Sequence, residues 1–473
     1  MAPALFPNFL SMGVHMDLLK EVNQQFGKIL SETNPSAQMD TLAAQMADKQ
    51  MFMSGHLFPT FLKPYFVDNI HRPLFARVTR LLISSLNKIG DLYFKDHLFA
   101  DQIRLKGRVA DLAAIDPGYP GHQIINRLDI FFIPETGQLK LLEYNCGDPS
   151  GMGWHDQMLE MFLGLPAIKI LGERYKLDVD WLVKSHFRIF FKKYHEWCAR
   201  KGIQPEAKPN ISFVCKRDSS VLGDFLAFVE YYRAMGFHTV FGDPRDFEYD
   251  GKNLTLNGET IHLIYRDAID DVILDPYWDY SQNLVQALRD KAVCFINPVS
   301  AASGDWKSIL EILSDAQYEK YFTPEERDCH RLHIPWTRTL HECKTDHYGN
   351  RVDLVEFVRK NKDLFVLKPN DGYGGFGVMV GRTAPQKDWD ALIEKSFKDQ
   401  IVYTVQEYAD IPQEEFPVVE NGEFKGFATK NVNLNLWSHD GEFAGSFVRA
   451  AAGNVINVHQ GGGMVPCMFV SRK

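Results

Sequence analysis

The segment spanning residues 127–145 constrains the fold of this chain most, because it has the pattern of two strands joined by a short turn. Residues 128–133 form an apolar run, residues 135–138 have the composition of a turn, and residues 139–144 form a second apolar run. The sequence therefore predicts a β-hairpin in which the start of the first strand lies beside the end of the second.

Polar residues stand at matching positions on the two predicted strands. Asp129 and Glu143 come close together across the hairpin, and Asn145 follows on the second strand. Carboxylate and amide oxygens are ligands that Mg²⁺ accepts while it keeps other positions for water and phosphate groups. Arg127 lies within reach of a phosphate group held by such a metal. The hairpin therefore predicts a magnesium and phosphate site.

A second motif lies much further along the chain, where an apolar strand at residues 365–367 delivers Lys368 into a glycine-rich loop. Glycines allow a backbone to approach phosphate oxygens and to point N–H groups at them. The spacing fits neither the Walker motif nor the dinucleotide fingerprint. The glycines of the predicted phosphate loop are Gly372, Gly374, Gly375 and Gly377.

A further strand, at residues 402–408, carries Gln406 and Glu407 near its end. A carboxylate in this position is suited to hydrogen-bond the adenine or the ribose of a nucleotide. Taken singly, each of these features has an ordinary structural explanation, such as a solvated carboxylate or a flexible glycine loop. Their joint order along one chain is what makes them specific.

Together the motifs resemble the ATP-grasp ligases. In most of that superfamily the metal motif follows the lysine motif, whereas here it precedes it, as in the circularly permuted branch typified by glutathionylspermidine synthase. The sequence Leu-Leu-Glu-Tyr-Asn at residues 141–145 is similar to the motif of that branch. The C-terminal segment with Arg449 and the glycines at 461–463 is similar to it as well. The matching segments cover roughly a third of the chain.

The resemblance implies an α/β (α+β) chain with a circularly permuted ATP-grasp fold, a pre-ATP-grasp α/β domain and a helical N-terminal region. The implied domains are a mainly helical region at 1–110, the permuted Mg²⁺-binding segment with helices at 111–200, the substrate-side α/β domain at 205–315 and the nucleotide-binding domain at 320–473.

The resemblance also implies an activity and the residues that support it. The chain would be an ATP-dependent carboxylate–amine ligase that forms an amide or peptide bond through an acylphosphate and releases ADP and phosphate. Its substrates would be a small carboxylate, such as an amino acid or peptide, and an amine. The implied roles are Mg²⁺ ligation by Asp129, Glu143 and Asn145, catalysis by Arg127 and Arg449, and ATP binding by Lys368, Gly372, Gly374, Gly375, Gly377, Gln406 and Glu407.

The chain departs from the family pattern at two places. Asp148 and Pro149 are adjacent, whereas the family has a threonine between them, and so glutathione and spermidine are not carried over as substrates. Asp148 itself is interpreted as a turn residue rather than a ligand. The family also uses an earlier lysine at the nucleotide, and no lysine stands at the expected spacing. Arg331 and Arg338 are the two candidates for its replacement.

Four alternatives stay open at this point. The same fold could support a phosphotransferase that stops at a phosphorylated product, or a non-catalytic nucleotide-binding or scaffold protein. The residues Cys329, His333, Cys343 and His347 have the types of a zinc site, although their spacing is unusual. Cys146 lies inside the metal motif, but no partner histidine marks it as a nucleophile, and we interpret it as a packed cysteine.

Composition excludes several classes of protein. The 473 residues carry a net charge of −9, which argues against nucleic acid as the main partner. The sequence has neither an apolar run long enough for a membrane span nor the basic start of a signal peptide. Seven dispersed cysteines without a Cys-x-x-Cys pair predict reduced thiols and a cytoplasmic protein. The resemblance is also compatible with a homodimer.

Periodicity predicts the remaining elements. Residues 18–30, 74–93 and 176–200 have the apolar spacing of helices. An α/β unit begins with a strand at residues 211–215 and a helix at 223–235, followed by a strand at 239–241. Two short strands, residues 254–256 and 261–265, are expected to flank the turn at Asn257-Gly258.

Overall fold

The computed structural model describes residues 9–105, 107–267, 278–458 and 461–473. In these ranges the chain is a mixed α/β structure. The helices are α1 (Phe9–Glu32), α2 (Pro35–Asp48), α3 (Arg72–Tyr93), α4 (His97–Ile103), α5 (Gly107–Ala113), α6 (Met152–Gly164), α7 (Pro166–Arg174), α8 (Leu182–Lys201), α9 (Leu222–Ala234), α10 (Gln282–Arg289), α11 (Ile309–Ser314), α12 (Pro324–His333), α13 (Leu354–Lys360) and α14 (Gln386–Lys398). Short 3₁₀ turns lie at Asn69–His71, Pro244–Asp246, Val299–Gly304, Ala316–Tyr321 and Lys362–Leu364.

The strands are distributed over several sheets. They are β1 (Phe52–Met53), β2 (His56–Leu57), β3 (Tyr65–Asp68), β4 (Ile125–Ile133), β5 (Gln138–Asn145), β6 (Tyr175–Asp178), β7 (Ile211–Val214), β8 (Thr239–Gly242), β9 (Phe247–Tyr249), β10 (Leu254–Leu256), β11 (Glu259–Thr260), β12 (Leu263–Arg266), β13 (Cys294–Ile296), β14 (Thr337–Thr339), β15 (Lys344–His347), β16 (Asn350–Asp353), β17 (Phe365–Pro369), β18 (Met379–Val380), β19 (Tyr403–Glu407), β20 (Gln413–Glu420), β21 (Glu423–His439), β22 (Glu442–Ala451) and β23 (Gly463–Arg472).

An eight-stranded sheet forms the centre of the structure. Its main order is β3-β23-β22-β21-β4-β5, with β20 beside β21 and β6 beside β23. Strand β4 pairs antiparallel with β21, so that Ile130 lies opposite Leu434 and Ile125 opposite His439. The predicted metal hairpin is therefore part of the same sheet as the end of the chain.

The hairpin β4–β5 confirms the pairing predicted from the sequence. Asp129 lies directly opposite Glu143, and Arg127 lies opposite Asn145. The register then shifts, because Ile130 pairs with Leu141 and leaves Leu142 as an extra residue on β5. Such a bulge bends its strand and turns local groups in a new direction.

Helices cover this sheet, and two of the predicted helices are confirmed in α1 and α3. Phe75, Leu82 and Ile89 of α3 are completely buried in the core that also contains strands β4, β5 and β21–β23. The chain breaks between α1 and α2 because the Asn34 side chain accepts a hydrogen bond from the backbone N–H of Ala37, which caps the start of the second helix.

A separate parallel sheet has the order β13-β12-β7-β8 and contains the predicted strands at 211–215 and 239–241. The predicted hairpin between residues 254–256 and 261–265 is wrong. The Asn257-Gly258 turn instead joins β10 to β11, and the chain continues into β12, which pairs in parallel with β7 and β13. The reason is burial, because a strand inside a parallel sheet is apolar on both faces, and Leu263 to Arg266 is buried throughout.

The helix predicted for residues 176–200 is correct only from Leu182 onward. Tyr175–Asp178 is a strand instead, and it pairs antiparallel with β23. In this strand Tyr175 is buried, whereas Lys176 is exposed. An exposed lysine is typical of a strand at the edge of a sheet. Pairing with the end of the chain is a long-range contact that local periodicity does not contain.

A third sheet, with the order β14-β19-β17-β18, is antiparallel and has its own core. Trp336, Phe365, Leu367 and Trp389 are among the buried residues of this core. The strands predicted before Lys368 and around Gln406 are β17 and β19. The four domain ranges given above stay predictions. None of the helices within the described ranges combines the length and apolar character needed to cross a membrane.

Candidate active site

Asp129 lies at the centre of a buried ion-pair network. Only 1% of the residue is exposed. Its Oδ1 accepts a hydrogen bond from Arg127 Nε at 3.0 Å, and its Oδ2 accepts one from Arg449 Nη2. Burial by itself raises the pKa of this carboxyl, but the Arg449 and Arg127 guanidinium groups outweigh burial and lower the pKa to about 2. Asp129 is therefore ionised at neutral pH.

Arg449 reaches Asp129 because strand β22 lies beside β21. Its Nη2 also donates a 2.7 Å hydrogen bond to Asn433 Oδ1. Arg127 in turn donates to the Ser150 carbonyl oxygen at 2.9 Å. The two predicted catalytic arginines thus meet at one carboxylate, although they lie far apart in the sequence.

Glu143 lies across the hairpin from Asp129 and is more accessible, with 31% of its side chain exposed. Its Oε2 lies 3.4 Å from Nζ of Lys307. Asn145 lies nearby on the same strand, and its buried Nδ2 has no hydrogen-bond partner among the described residues. A buried amide that lacks a partner is costly unless a ligand or water completes it.

Lys368 is the residue before the end of strand β17, and its amine is directed at the β4–β5 hairpin. Its Nζ donates to Gln406 Oε1 at 2.6 Å and to the carbonyl oxygen of the bulged Leu142 at 3.1 Å. Burial is the main reason why the pKa of Lys368 falls to about 8, while the charge of Glu143 raises it. The lysine remains within the range where it can be protonated and can bind an anion.

The glycine-rich loop follows Lys368 and needs its glycines for geometry. Gly374, Gly375 and Gly377 have φ values of 66°, 77° and 73°, in the left-handed region that favours glycine. At Gly372 an added Cβ would lie 2.9 Å from Cβ of Pro369. The side chain of Tyr373 in the same loop is 84% exposed, so the loop projects outward from the sheet.

Gln406 and Glu407 end strand β19 beside Lys368. Gln406 is buried and also donates to Thr337 Oγ1 at 3.3 Å. Glu407 accepts a 2.5 Å hydrogen bond from the hydroxyl of Tyr348. Tyr408 and Ala409 continue from Glu407 along the wall of the adjoining cavity.

Two adjoining cavities contain these residues. The smaller, of about 120 Å³, is lined by Asp129, Lys368, Gln406 and Glu407 together with apolar side chains such as Val366. The larger, of about 400 Å³, is lined by a second set of residues that includes Arg127, Asn145, Asp148, Gly374 and Trp154. The residues that line both cavities are Glu143, Lys307, Gly372, Phe376, Arg449 and Asn457.

The structure therefore brings together nearly all of the residues predicted from the sequence. Gly372 and Gly375 line the smaller cavity, whereas Gly377 lines neither. An added Cβ at Gly377 would lie 2.8 Å from Cγ of Pro369, so this glycine allows the loop to pack against the end of β17.

Lys307 is a site residue that the sequence reasoning missed. It is 6% exposed, and its Nζ donates a 2.5 Å hydrogen bond to the carbonyl oxygen of Gly372 in addition to its contact with Glu143. Arg331 and Arg338, the two candidates for an additional cation, do not line either cavity. Arg331 is exposed beside Glu319, and Arg338 is buried beside Asp315.

The segment around Lys307 is held by residues from both motifs. Asp305 accepts hydrogen bonds from the backbone N–H groups of Cys146 at 2.5 Å and Gly147 at 2.9 Å. The backbone N–H of Lys307 donates to the Asn370 carbonyl oxygen at 3.0 Å. A charged residue two positions before a lysine was the only signal of this role in the sequence, and it is too common to be specific.

Asp148, which the sequence indicates as a turn residue, also belongs to the site. It lines the larger cavity, where burial and the nearby carboxylates of Asp305 and Asp267 raise its pKa well above the usual range. This wall of the larger cavity therefore carries several carboxyl groups. The positively charged side chains that line the larger cavity are Arg127, Lys307 and Arg449, of which Lys307 and Arg449 also line the smaller cavity.

The donor set fits Mg²⁺ better than it fits zinc. Asp129, Glu143 and Asn145 offer hard oxygen ligands from one hairpin, and the accessible carboxylate of Glu143 faces both cavities. The Cys146 thiol is buried, and its pKa is raised by burial, which does not favour a thiolate ligand or nucleophile.

The alternative zinc site is not supported. Cys329 and His333 are buried on α12, where the His333 ring bonds to the Leu139 carbonyl oxygen, whereas His347 packs against Trp336 on the β15–β16 hairpin. Across the part of the chain that the structure describes, no three His, Cys, Asp or Glu residues are grouped so that they could hold a metal ion. The magnesium set contains only two such residues and is completed by an asparagine.

Comparison with known proteins rests on structure alone. No protein-family model matches the sequence, and no curated protein matches it either. Among solved structures, the chain is similar to a glutathione synthetase-like effector from Globodera pallida in the apo form. The TM-score is 0.61 at 13% identity, over 94% of this chain and 97% of the other.

Two further matches are weaker. A putative γ-glutamylcysteine synthetase from Methylobacillus flagellatus KT gives a TM-score of 0.39 at 13% identity, over 85% of this chain and 89% of the other. D-alanyl-alanine synthetase A from Vibrio cholerae O1 gives 0.26 at 10% identity, over 56% and 89%. The match to the Globodera pallida protein shows that the two chains share a mixed α/β fold, and this supports the resemblance seen in the sequence at the level of the fold alone.

Proposed function

From this fold and this site, we propose that the chain is an ATP-dependent carboxylate–amine ligase that forms an amide bond and releases ADP and phosphate. One observation carries the proposal. Asp129 and Glu143 lie directly opposite each other, and the same pair of adjoining cavities also contains Lys368, Lys307 and the glycine-rich loop.

The smaller cavity suits the nucleotide. Glu407 would hold the nucleoside, with Gln406 fixing the amine of Lys368 beside the phosphates. Lys307 would supply a second phosphate-binding charge, and its bond to the Gly372 carbonyl oxygen ties it to the glycine-rich loop. Bound Mg²⁺, held by Asp129, Glu143 and Asn145, would neutralise part of the phosphate charge.

The larger cavity suits the carboxylate and the amine. An oxygen of the substrate carboxylate attacks the γ-phosphorus of ATP, and the bond from that phosphorus to the bridging oxygen of ADP breaks, which gives an acylphosphate. The amine nitrogen then attacks the acyl carbon. The bond from that carbon to the phosphate oxygen breaks, and the amine loses a proton as phosphate leaves.

Charge on the transferring phosphoryl group has to be stabilised by fixed donors. Arg127 and Arg449 line the larger cavity, and their mutual contact with Asp129 holds both guanidinium groups in place before substrate binds. Pre-organised donors of this kind avoid the cost of reorientation during the reaction.

The circularly permuted arrangement is part of the same proposal. Strands β4 and β5 precede the nucleotide lysine in the sequence, but they lie in one sheet with β21, which pairs with β4. The segment at 111–200 would therefore complete the nucleotide-binding unit at 320–473, with the parallel-sheet unit at 205–315 on the substrate side. A small carboxylate, an amine, ATP and Mg²⁺ are the proposed partners.

Calorimetry with a non-hydrolysable ATP analogue tests the nucleotide site. Binding is expected to require Mg²⁺ and to weaken at least tenfold in Lys368→Ala and in Glu143→Ala, because each variant removes a charge beside the phosphates. Lys395→Ala is the matched control, since Lys395 is exposed on α14 beside Asp399. If a folded wild-type protein does not bind the analogue, the ligase proposal is wrong.

Product analysis then separates the activities that a nucleotide site allows. A ligase yields an amide with ADP and free phosphate from pools of carboxylates and amines. A phosphotransferase yields ADP and a stable phosphorylated compound instead. Nucleotide binding without turnover of any pool would favour the non-catalytic alternative.

A further inference from the structure

The hairpin β15–β16 contains a turn that its sequence does not favour. Tyr348 and Gly349 form a two-residue turn with φ values of 50° and 86° between the paired residues His347 and Asn350. Positive φ at both turn positions marks a type I′ turn, which prefers asparagine, aspartate or glycine. A bulky aromatic residue is disfavoured in this left-handed conformation.

Other turns of the chain show the usual choice. The described residues contain four further two-residue hairpin turns with positive φ at both positions, and their first residues are small and polar. They are Ser54-Gly55, Asn257-Gly258, Asn421-Gly422 and Asp440-Gly441. The tyrosine at position 348 therefore needs a reason beyond turn formation, because an unfavourable backbone conformation persists where the surroundings impose it.

The turn is held firmly in place on the core beneath it. Trp336 Nε1 donates a 2.9 Å hydrogen bond to the Asp346 carbonyl oxygen, and the Gly349 N–H donates to Asp346 Oδ1 at 3.1 Å. The His347 ring lies 5.1 Å from the Trp336 ring and 4.8 Å from the Phe357 ring. These contacts fix the position from which Tyr348 extends.

The hydroxyl of Tyr348 donates a 2.5 Å hydrogen bond to Glu407 Oε2. Glu407 lines the smaller cavity, whereas Tyr348 lines neither cavity. The phenol therefore contacts the carboxylate from outside the cavity. Tyr348 is thus connected to the cavity wall by its hydrogen bond to Glu407.

We propose that Tyr348 is a positioning residue that fixes the Glu407 carboxylate so that its free oxygen receives a ribose hydroxyl of the nucleotide. This inference rests on the proposed function, which assigns Glu407 to the nucleoside. A carboxylate has two oxygens, and a phenol that holds one of them limits rotation of the group. The ligand class is thus a ribonucleotide, and a deoxyribonucleotide lacks the contact that Tyr348 prepares.

The test measures binding of a non-hydrolysable ATP analogue and of its 2′-deoxy and 3′-deoxy forms. Tyr348→Phe is expected to weaken the ribonucleotide about three- to tenfold, the range of one hydrogen bond, and to leave one deoxy form unchanged. In a Glu407→Ala background the same change is expected to have no effect. Tyr249→Phe is the matched control, because the Tyr249 hydroxyl bonds Asp290 Oδ2 at 3.0 Å and lines neither cavity.

A second variant distinguishes the proposed role of Tyr348 in positioning Glu407 from a role in stabilising the fold alone. Tyr348→Asn places a favoured residue in the type I′ turn, so the melting temperature is expected to rise while ribonucleotide affinity falls. A purely structural role would move both quantities in the same direction.

The outcomes distinguish this inference from the proposed function. Loss of the same size for all three nucleotides, or a full loss in the Glu407→Ala background, overturns the role of Tyr348 while ATP binding by the wild type stands. Unchanged ribonucleotide binding by Tyr348→Phe does the same. If the wild type does not bind ATP, both the proposed function and the role of Tyr348 are wrong.

Discussion

Lys307 illustrates how a single buried charge can connect two motifs that lie far apart in the sequence. Its amine lies 3.4 Å from Glu143 Oε2 and 2.5 Å from the Gly372 carbonyl oxygen. Only 6% of the residue is exposed. A cation in this position faces the predicted metal ligands on one side and the predicted phosphate loop on the other.

We expect Lys307→Ala to lower kcat/KM of the ligase reaction about 10²- to 10³-fold, because one charge-stabilising donor is worth about 2.7–4 kcal/mol in a transition state. Circular dichroism should show an intact fold. Lys398→Ala, which alters an exposed lysine at the end of α14, serves as the control. Normal turnover by the Lys307 variant would exclude this residue from the phosphate site.

Helix α12 is stabilised by a capping box at its start and by packing against α3 near its end. It begins with a capping box in which Thr323 and Glu326 bond each other's backbone N–H groups. Farther along, His330 is 4% exposed and lies 2.8 Å from the Ser85 hydroxyl of α3. Burial lowers the pKa of His330 to about 4, because a charged imidazole would lose its hydration between the two helices.

This shift predicts a dependence of stability on pH. The unfolded chain binds a proton at His330 near its ordinary pKa of about 6.5, whereas the folded chain resists protonation down to about 4. Between these values the unfolded state binds more protons. The free energy of unfolding therefore falls as the pH falls, by up to about 1.4 kcal/mol per pH unit from this group.

Urea unfolding of His330→Gln between pH 4.5 and 7.5 checks the prediction. Glutamine can keep a hydrogen bond to Ser85 but does not titrate. The slope of the unfolding free energy against pH should therefore decrease by up to about 1.4 kcal/mol per pH unit, which corresponds to one proton. His97→Gln provides the comparison at an exposed histidine of α4. Equal slopes for the His330 variant and the wild type would contradict the expected contribution.

At the scale of the whole molecule, residues 305–308 connect the two predicted motifs. Asp305 bonds the backbone at Cys146 and Gly147, and Asn370 bonds the backbone of Lys307 and Ser308. The metal hairpin and the glycine-rich loop are thus linked by hydrogen bonds that do not involve a ligand. We therefore expect that a ligand bound at one motif also changes the stability of the backbone at the other.

Hydrogen exchange should report this coupling. Addition of Mg²⁺ and an ATP analogue is expected to slow exchange together in residues 142–147, 305–308 and 368–377, and to leave β7 and β8 unchanged. In Asp305→Ala, the protection at 142–147 should decrease while that at 368–377 persists. Protection confined to 368–377 in the wild type would show that the two motifs respond independently.

The sequence by itself determined the local parts of this site. The β4–β5 hairpin could be predicted because two apolar runs joined by a short turn pair with each other, which brings Asp129 close to Glu143. The exact pairing of these two residues depends on the bulge at Leu142, which the sequence pattern does not contain. The strand that carries Lys368 and the glycines after it could be predicted as well, since strand period and positive φ are local properties. The order of the motifs also indicated the fold that structural comparison then showed.

Only the tertiary structure decided which distant residues complete the site. Lys307 reaches Glu143 because residues 305–308 are bonded both to the end of β5 and to the start of the glycine-rich loop, and local patterns contain neither contact. The contact between Arg449 and Asp129 depends likewise on the pairing of β21 with β4 and β22. Long-range pairing also decided the partners of the strand at residues 263–266, which joins a parallel sheet and not a local hairpin. The free energy of such contacts arises only when separate segments meet.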